Sequence, residues 1–194
     1  MGTFSVAASQ SMAIAFNLNC LLYMPAIGVA LATASLVGNQ LGAGKPELSK
    51  RATYTATVIG LIFAGFCGCV FLAVPHVFVD LYSLGDPENF ADVRPIAINV
   101  LRIVALYLVA DSTNLIFTAA LRGAGDTYFI MIATTIVVAL TLVVLYAGLY
   151  FLHLRVYWCW WVMTGYLVAN AGTFIVRFHS GRWKDKGVIE PKQA

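Results

Sequence analysis

The sequence predicts an all-α integral membrane protein with five transmembrane helices, and three observations predict it. Of 194 residues, 60% are hydrophobic and only 11% are charged, with a mean hydropathy of +0.83, which leaves too few charges to cover a soluble surface of this size. Windows of about 20 apolar residues, the length that crosses a hydrocarbon core, follow one another with short polar punctuation between them. Inside each window the apolar residues are continuous rather than alternating, which excludes a transmembrane barrel.

Taken in order, the first window runs from about Ser5 to Val37, carries no charge and holds Pro25 and Gly28 near its middle, so a kink is expected there. The second spans about Ala52 to Val79 and contains Gly60, Gly65 and Gly68, small enough to let a neighbouring helix approach closely. The third runs from about Ile96 to Leu121, the fourth from Tyr128 to Leu152 and the fifth from Val156 to Val176. Residues 1–178 therefore read as a transmembrane helical domain, and 179–194 as a polar, basic tail expected to lie near anionic lipid.

Basic residues stay preferentially on the cytoplasmic side of a membrane. Lys45, Lys50, Arg51, Arg122, Arg177, Arg182, Lys184, Lys186 and Lys192 fall on one side of the five spans. Arg94, Arg102 and Arg155 fall on the other, with the acidic run Asp86, Glu88 and Asp92. The expected placement is a cell inner or plasma membrane, with the N-terminus outside and the C-terminus cytoplasmic. Tyr157, Trp158, Trp160 and Trp161 then stand at the outer start of the fifth helix, where an aromatic belt anchors a span. An odd number of spans with an outer N-terminus points to further helices upstream.

Several function classes are absent from the pattern. The net charge of +3 is spent on membrane flanks, so no nucleic-acid footprint is expected. Cys20, Cys67, Cys69 and Cys159 lie in apolar stretches with no His or Cys cluster to complete a metal site, and read as buried small hydrophobes. No catalytic triad, HExxH, Walker loop or GxGxxG occurs, so the chain does not read as an enzyme and needs no organic cofactor.

The chemistry concentrates on one residue. Asp111 lies deep in the third window, where a carboxylate costs roughly 2.5–3.5 kcal/mol on insertion scales unless it has a partner or a task. Tyr107, Asp111, Asn114 and Thr118 share one helical face, a polar stripe suited to a water-filled cavity that binds a proton, Na⁺ or a cationic substrate. The plainer alternative is an Asp hydrogen-bonded to a neighbouring helix for packing alone. Gln10 and Asn17, seven apart on the first helix, are secondary candidates that serve either cavity lining or interhelical hydrogen bonding. Asn170 and Thr173 on the fifth helix carry the same two readings.

Two loops are distinctive. Leu36-Val37-Gly38-Asn39-Gln40-Leu41-Gly42-Ala43-Gly44-Lys45-Pro46 closes the first helix, and Ala120-Leu121-Arg122-Gly123-Ala124-Gly125-Asp126-Thr127 closes the third. Glycines end each helix, Pro46 can open the next segment, and Asp126 or Thr127 can cap the fourth. In type and order these motifs resemble those of the multidrug and toxic compound extrusion (MATE) family, in the NorM-like bacterial form. The resemblance covers essentially residues 1–178. It implies a fragment of the second, C-terminal lobe, from that lobe's second helix to its last, in a fold of two six-helix lobes with alternating access between them.

The resemblance further implies a secondary antiporter that exports cationic amphipathic drugs in exchange for Na⁺ or H⁺. Tyr107 and Asp111, just before the second motif, match the Tyr and Asp of the family's cation site, a possible Na⁺ position. The acidic residue that such members carry on the first helix of the lobe has no counterpart here. The partners implied are the lipid bilayer, amphipathic cations, and the N-terminal lobe or another membrane chain. Two alternatives stand beside this reading: a non-transporting or truncated membrane partner, and a lipid-linked oligosaccharide flippase, whose pyrophosphate substrate calls for basic cavity residues.

Overall fold

The computed structural model describes residues 2–81, 93–151 and 156–184. The acidic run Asp86, Glu88 and Asp92 lies outside them, as do His153, Arg155, Lys186 and Lys192. The elements are α1 (Gly2–Gly42), α2 (Pro46–Ala73), α3 (Pro75–Asp80), α4 (Val93–Gly123), α5 (Thr127–Phe151) and α6 (Val156–His179). All but α3 are long and apolar enough to cross a membrane. Large apolar side chains such as Phe16, Leu21 and Met24 on α1 and Leu140, Leu142 and Val143 on α5 are exposed, a surface that lipid or another apolar partner must cover.

The window expected from Ala52 to Val79 is two helices, not one. Pro75 has no N–H to donate and pushes the residue before it out of helical conformation, and Val74 accordingly sits at φ −132°, ψ 51°. Pro25, by contrast, lies inside α1, which continues through it to Gly42. The short α3 is fastened to the start of α4 by a fork of two hydrogen bonds, from Arg94 Nε to Asp80 Oδ1 at 2.6 Å and from Arg94 Nη2 to Asp80 Oδ2 at 2.8 Å. Ser11 Oγ donates to the Val93 carbonyl at 3.1 Å and joins α1 to the same corner.

The two glycine loops are the same turn, 81 positions apart. Gly44 N–H donates to Leu41 O and Lys45 N–H to Gln40 O, and Gly125 N–H donates to Arg122 O and Asp126 N–H to Leu121 O. This paired pattern is a Schellman ending, and it requires a left-handed residue after the helix. Gly44 at φ 69° and Gly125 at φ 83° supply it. Each turn leads directly into the next helix, but the pairs differ: α1 and α2 pack closely on each other, whereas α5 meets α4 only slightly and packs mainly on α6.

α4 is the central helix, packed against each of the other five. α2 buries a run of small residues, Ser49, Thr53, Ala56, Gly60, Ala64 and Gly68, of which Gly60 meets Ser112 and Ile116 of α4 and Ser49 donates to the Val37 carbonyl of α1 at 3.2 Å. A Cβ at Gly68 would stand 3.1 Å from the Ala105 carbonyl oxygen, so Gly60 and Gly68 serve the close approach expected of them. Gly65 faces open space instead.

α1 and α4 cross where the two motifs meet: a Cβ at Gly38 would lie 3.2 Å from Gly123 O, and one at Gly123 would collide with the Ala34 backbone. Because backbone cannot rotate out of the way as a side chain does, Gly123→Ala should lower stability by about 1–3 kcal/mol, near the upper end. A fall in the thermal unfolding midpoint of the detergent-solubilised chain checks this.

Two apolar clusters occupy opposite ends of α4. One gathers Ile14, Leu18, Phe71, Val79, Val100, Leu101 and Val104, and the other Val37, Phe117, Leu121, Phe174, Phe178 and Trp183. The polar positions Asp111 and Asn114 fall between them.

Candidate functional site

Tyr107 and Asp111, one turn apart on α4, stand on the wall of a cavity of about 890 Å³ formed with α1, α5 and α6. Tyr107 is buried and Asp111 half-buried. From α1 come Asn19, Cys20 and Tyr23, from α5 Thr141 and Leu145, and from α6 Cys159, Trp160 and Met163. The Trp160 ring lies nearly parallel to that of Tyr107, at 12° with centroids 6.2 Å apart. No basic side chain forms an ion pair with Asp111 among the described residues. A carboxylate, hydroxyls, an amide oxygen and stacked π-faces are a donor set for a cation, organic or inorganic.

The polar stripe on α4 does not share a single cavity. Asn114 and Thr118 line a second one of about 460 Å³, with Arg122, Thr134, Thr135 and Asn170. Tyr23 borders both. Asn170 is buried and donates from Nδ2 to the Tyr166 carbonyl at 3.2 Å, while its Oδ1 and that of Asn114 are buried without a hydrogen-bond partner. Thr173 is half-buried and bonds back to Ala169 O at 2.8 Å.

Gln10 and Asn17 are exposed on α1 and border neither cavity; Asn19 and Tyr23, four apart on the same helix, take the position beside Asp111. The tryptophans also divide. Trp161 is exposed, while Trp160 turns to Tyr107 and Trp158 lays its indole over Gly148 of α5, where no Cβ would fit. Successive positions on a helix differ by about 100°, so a cluster of aromatics at a membrane boundary cannot all face lipid. Cys20 and Cys69 are exposed and Cys67 and Cys159 half-buried, against the expectation that all four are buried. On a helix flanked by lipid, an apolar stretch does not imply burial in protein.

At the end of the lobe that carries both glycine turns, Asp126 is fully buried and Arg177 is 13% exposed, joined by a 2.7 Å hydrogen bond from Nε to Oδ2. Arg177 also covers the Phe129 ring at 4.4 Å. Trp183 stacks on Phe178 and donates from Nε1 to its carbonyl at 2.7 Å. Lys184 reaches Glu47 of α2 at 2.9 Å. The chain after α6 is thus folded back on α6 and tied to the start of α2, while Arg177 of α6 holds the turn between α4 and α5.

Fold and site together define a multi-pass membrane lobe whose central helix carries an intramembrane carboxylate to a cavity. Comparison with known proteins agrees with this class. The MatE family model matches residues 1–147, and the chain belongs to that family, one of transporters rather than enzymes. It is 34% identical over 136 residues to the multidrug resistance protein NorM of Burkholderia vietnamiensis, covering 70% of this chain and 29% of that protein. With the probable multidrug resistance protein NorM of Thermotoga maritima it shares 25% identity over 177 residues, 91% of this chain and 37% of that one.

The chain therefore spans about a third of the length of these relatives. The crystal structure of the eukaryotic MATE transporter AtDTX14 superposes with a TM-score of 0.82 over 93% of this chain and 40% of its own, at 19% identity, a likeness of fold.

Proposed function

We propose that this lobe forms part of a secondary antiporter that exports cationic amphipathic molecules in exchange for Na⁺ or H⁺, with Asp111 as the group that the coupling cation and the substrate occupy in turn. The observation that carries the reading is a half-buried carboxylate with no basic partner among the described residues, on the wall of a cavity large enough for a small organic cation. Tyr107 and Trp160 offer stacked π-faces to the substrate, and Tyr23 offers a hydroxyl oxygen to the ion. Asn114 and Thr118 belong in this reading to the adjoining polar cavity.

The basic residues Lys45, Lys50, Arg51, Arg122 and Arg177 lie at the ends of the helices that carry the turns, which supports a cytoplasmic placement of that side. A second lobe or another membrane chain completes the translocation path, in keeping with the greater length of the NorM relatives.

Proteoliposomes or everted vesicles holding the assembled transporter test the coupling. Accumulation of a fluorescent organic cation should follow an imposed Na⁺ or proton gradient and collapse when an ionophore dissipates it. Accumulation indifferent to both gradients would overturn the antiport reading.

A further inference from the structure

Asp111 also borders a second, far smaller space on the side away from α5 and α6. There α1, α2 and α4 form a partly open pocket of about 20 Å³, lined by the polar residues Asn19, Tyr23, Cys67, Asp111 and Ser112 and otherwise by apolar side chains including Phe63 and Leu115. Room of roughly 10–15 Å³ holds one water, so the pocket has space for a single water and is too small for a hydrated ion or an organic substrate.

Polarity agrees with size. Asn19 Oδ1 is buried with no hydrogen-bond partner, a state that native structures rarely leave unrelieved. Ser112 is buried, and room for its hydroxyl comes from α2, where a Cβ on Gly60 would stand 2.6 Å from Ser112 Oγ. A water has two hydrogens to give and two lone pairs to fill, and buried waters make about three hydrogen bonds. A bare hard cation needs about six oxygen ligands, more than this largely apolar lining offers.

We propose that this cavity holds one water molecule that donates to Asn19 Oδ1 and to the Asp111 carboxylate and accepts from the Ser112 hydroxyl, which makes Asn19 and Ser112 positioning residues for Asp111. Such a water serves both charge states of the acid. It donates to the carboxylate, and by rotating it accepts from the protonated form while still satisfying Asn19. The carboxyl therefore presents its other oxygen to the large cavity in a constant orientation while the coupling cation comes and goes. The transport consequence rests on the antiporter reading; the water itself does not.

The test is infrared difference spectroscopy of the full chain in lipid, with the Asp111 carboxyl band identified by its loss in Asp111→Asn. Asn19→Leu, which fills the site with an apolar group, and Ser112→Ala, which removes one hydroxyl at almost constant volume, are each expected to move that band to higher wavenumber. In the assembled transporter each should weaken the apparent affinity for the coupling ion by about tenfold, as loss of a hydrogen bond to a charged group does, with maximal export rate changed less. If Asn19→Leu does not fold, Ser112→Ala carries the test alone.

An Asp111 band indifferent to the substitutions would overturn the proposal, and so would a site whose occupancy in an experimental map follows Na⁺ concentration. The two readings fail separately. Wild-type export by Asp111→Asn with a band that still responds to Ser112→Ala removes the antiporter role and leaves the water; abolished export with an indifferent band does the reverse.

Discussion

Replacing Asp111 by asparagine should abolish ion-coupled export while leaving the lobe folded. Asparagine keeps the shape and one carbonyl oxygen but cannot carry charge, and among the described residues Asp111 is the only carboxylate lining the large cavity. Loss of a charge-assisted contact alone weakens cation binding by about one to two orders of magnitude. The effect on export is larger, because without a titrating or ion-binding group one gradient no longer drives the other. Gradient-driven accumulation of a fluorescent organic cation is the measurement, with equal expression and an unchanged unfolding midpoint as controls. Removing an intramembrane charge generally relieves a folding cost, so lost export cannot be put down to a destabilised lobe. Wild-type accumulation in this variant would end the assignment.

The largest effect on stability should come from Asp126→Ala. It leaves the Arg177 guanidinium, 13% exposed, with the Phe129 face but without its carboxylate. Breaking a buried pair from one side costs about 3–5 kcal/mol, because the remaining charge is desolvated and uncompensated. The double substitution Asp126→Ala with Arg177→Met should recover part of that loss, since no charge is then stranded. Thermal unfolding of the single and double variants in the same detergent measures both. Equal losses would show that packing around Trp183 and Phe178, rather than the pair, holds this end together.

Asp126 shows how far motif reading reaches. Its place in the glycine loop suggested a helix cap, and the loop is indeed a turn that ends one helix and starts the next. The carboxylate's contact with Arg177 joins positions 51 residues apart, and no local pattern foretells it. Gly38 and Gly123 add to this: Gly123 does end its helix, but α1 runs on through Gly38 to Gly42, and the crossing of the two depends on how α1 lies across α4. Pro75 was the missed local signal. Read as part of an apolar window, it divides one expected helix into two, for a reason the backbone of proline alone supplies.

By itself the sequence determined the membrane class, the five spans, the two glycine turns and the choice of Asp111 as the residue of interest. Each follows from a local quantity: run length, a required left-handed φ, or the cost of a charge in an apolar window. Only the tertiary structure decided that Asn19 and Tyr23 rather than Gln10 and Asn17 stand beside Asp111, that Trp160 faces Tyr107, and that Asn114 and Thr118 open on a separate cavity. A helix apolar all round has no polar face to show which side is buried. Its rotation about its own axis is set by close packing on small residues against its neighbours, and that packing exists only once the helices are assembled.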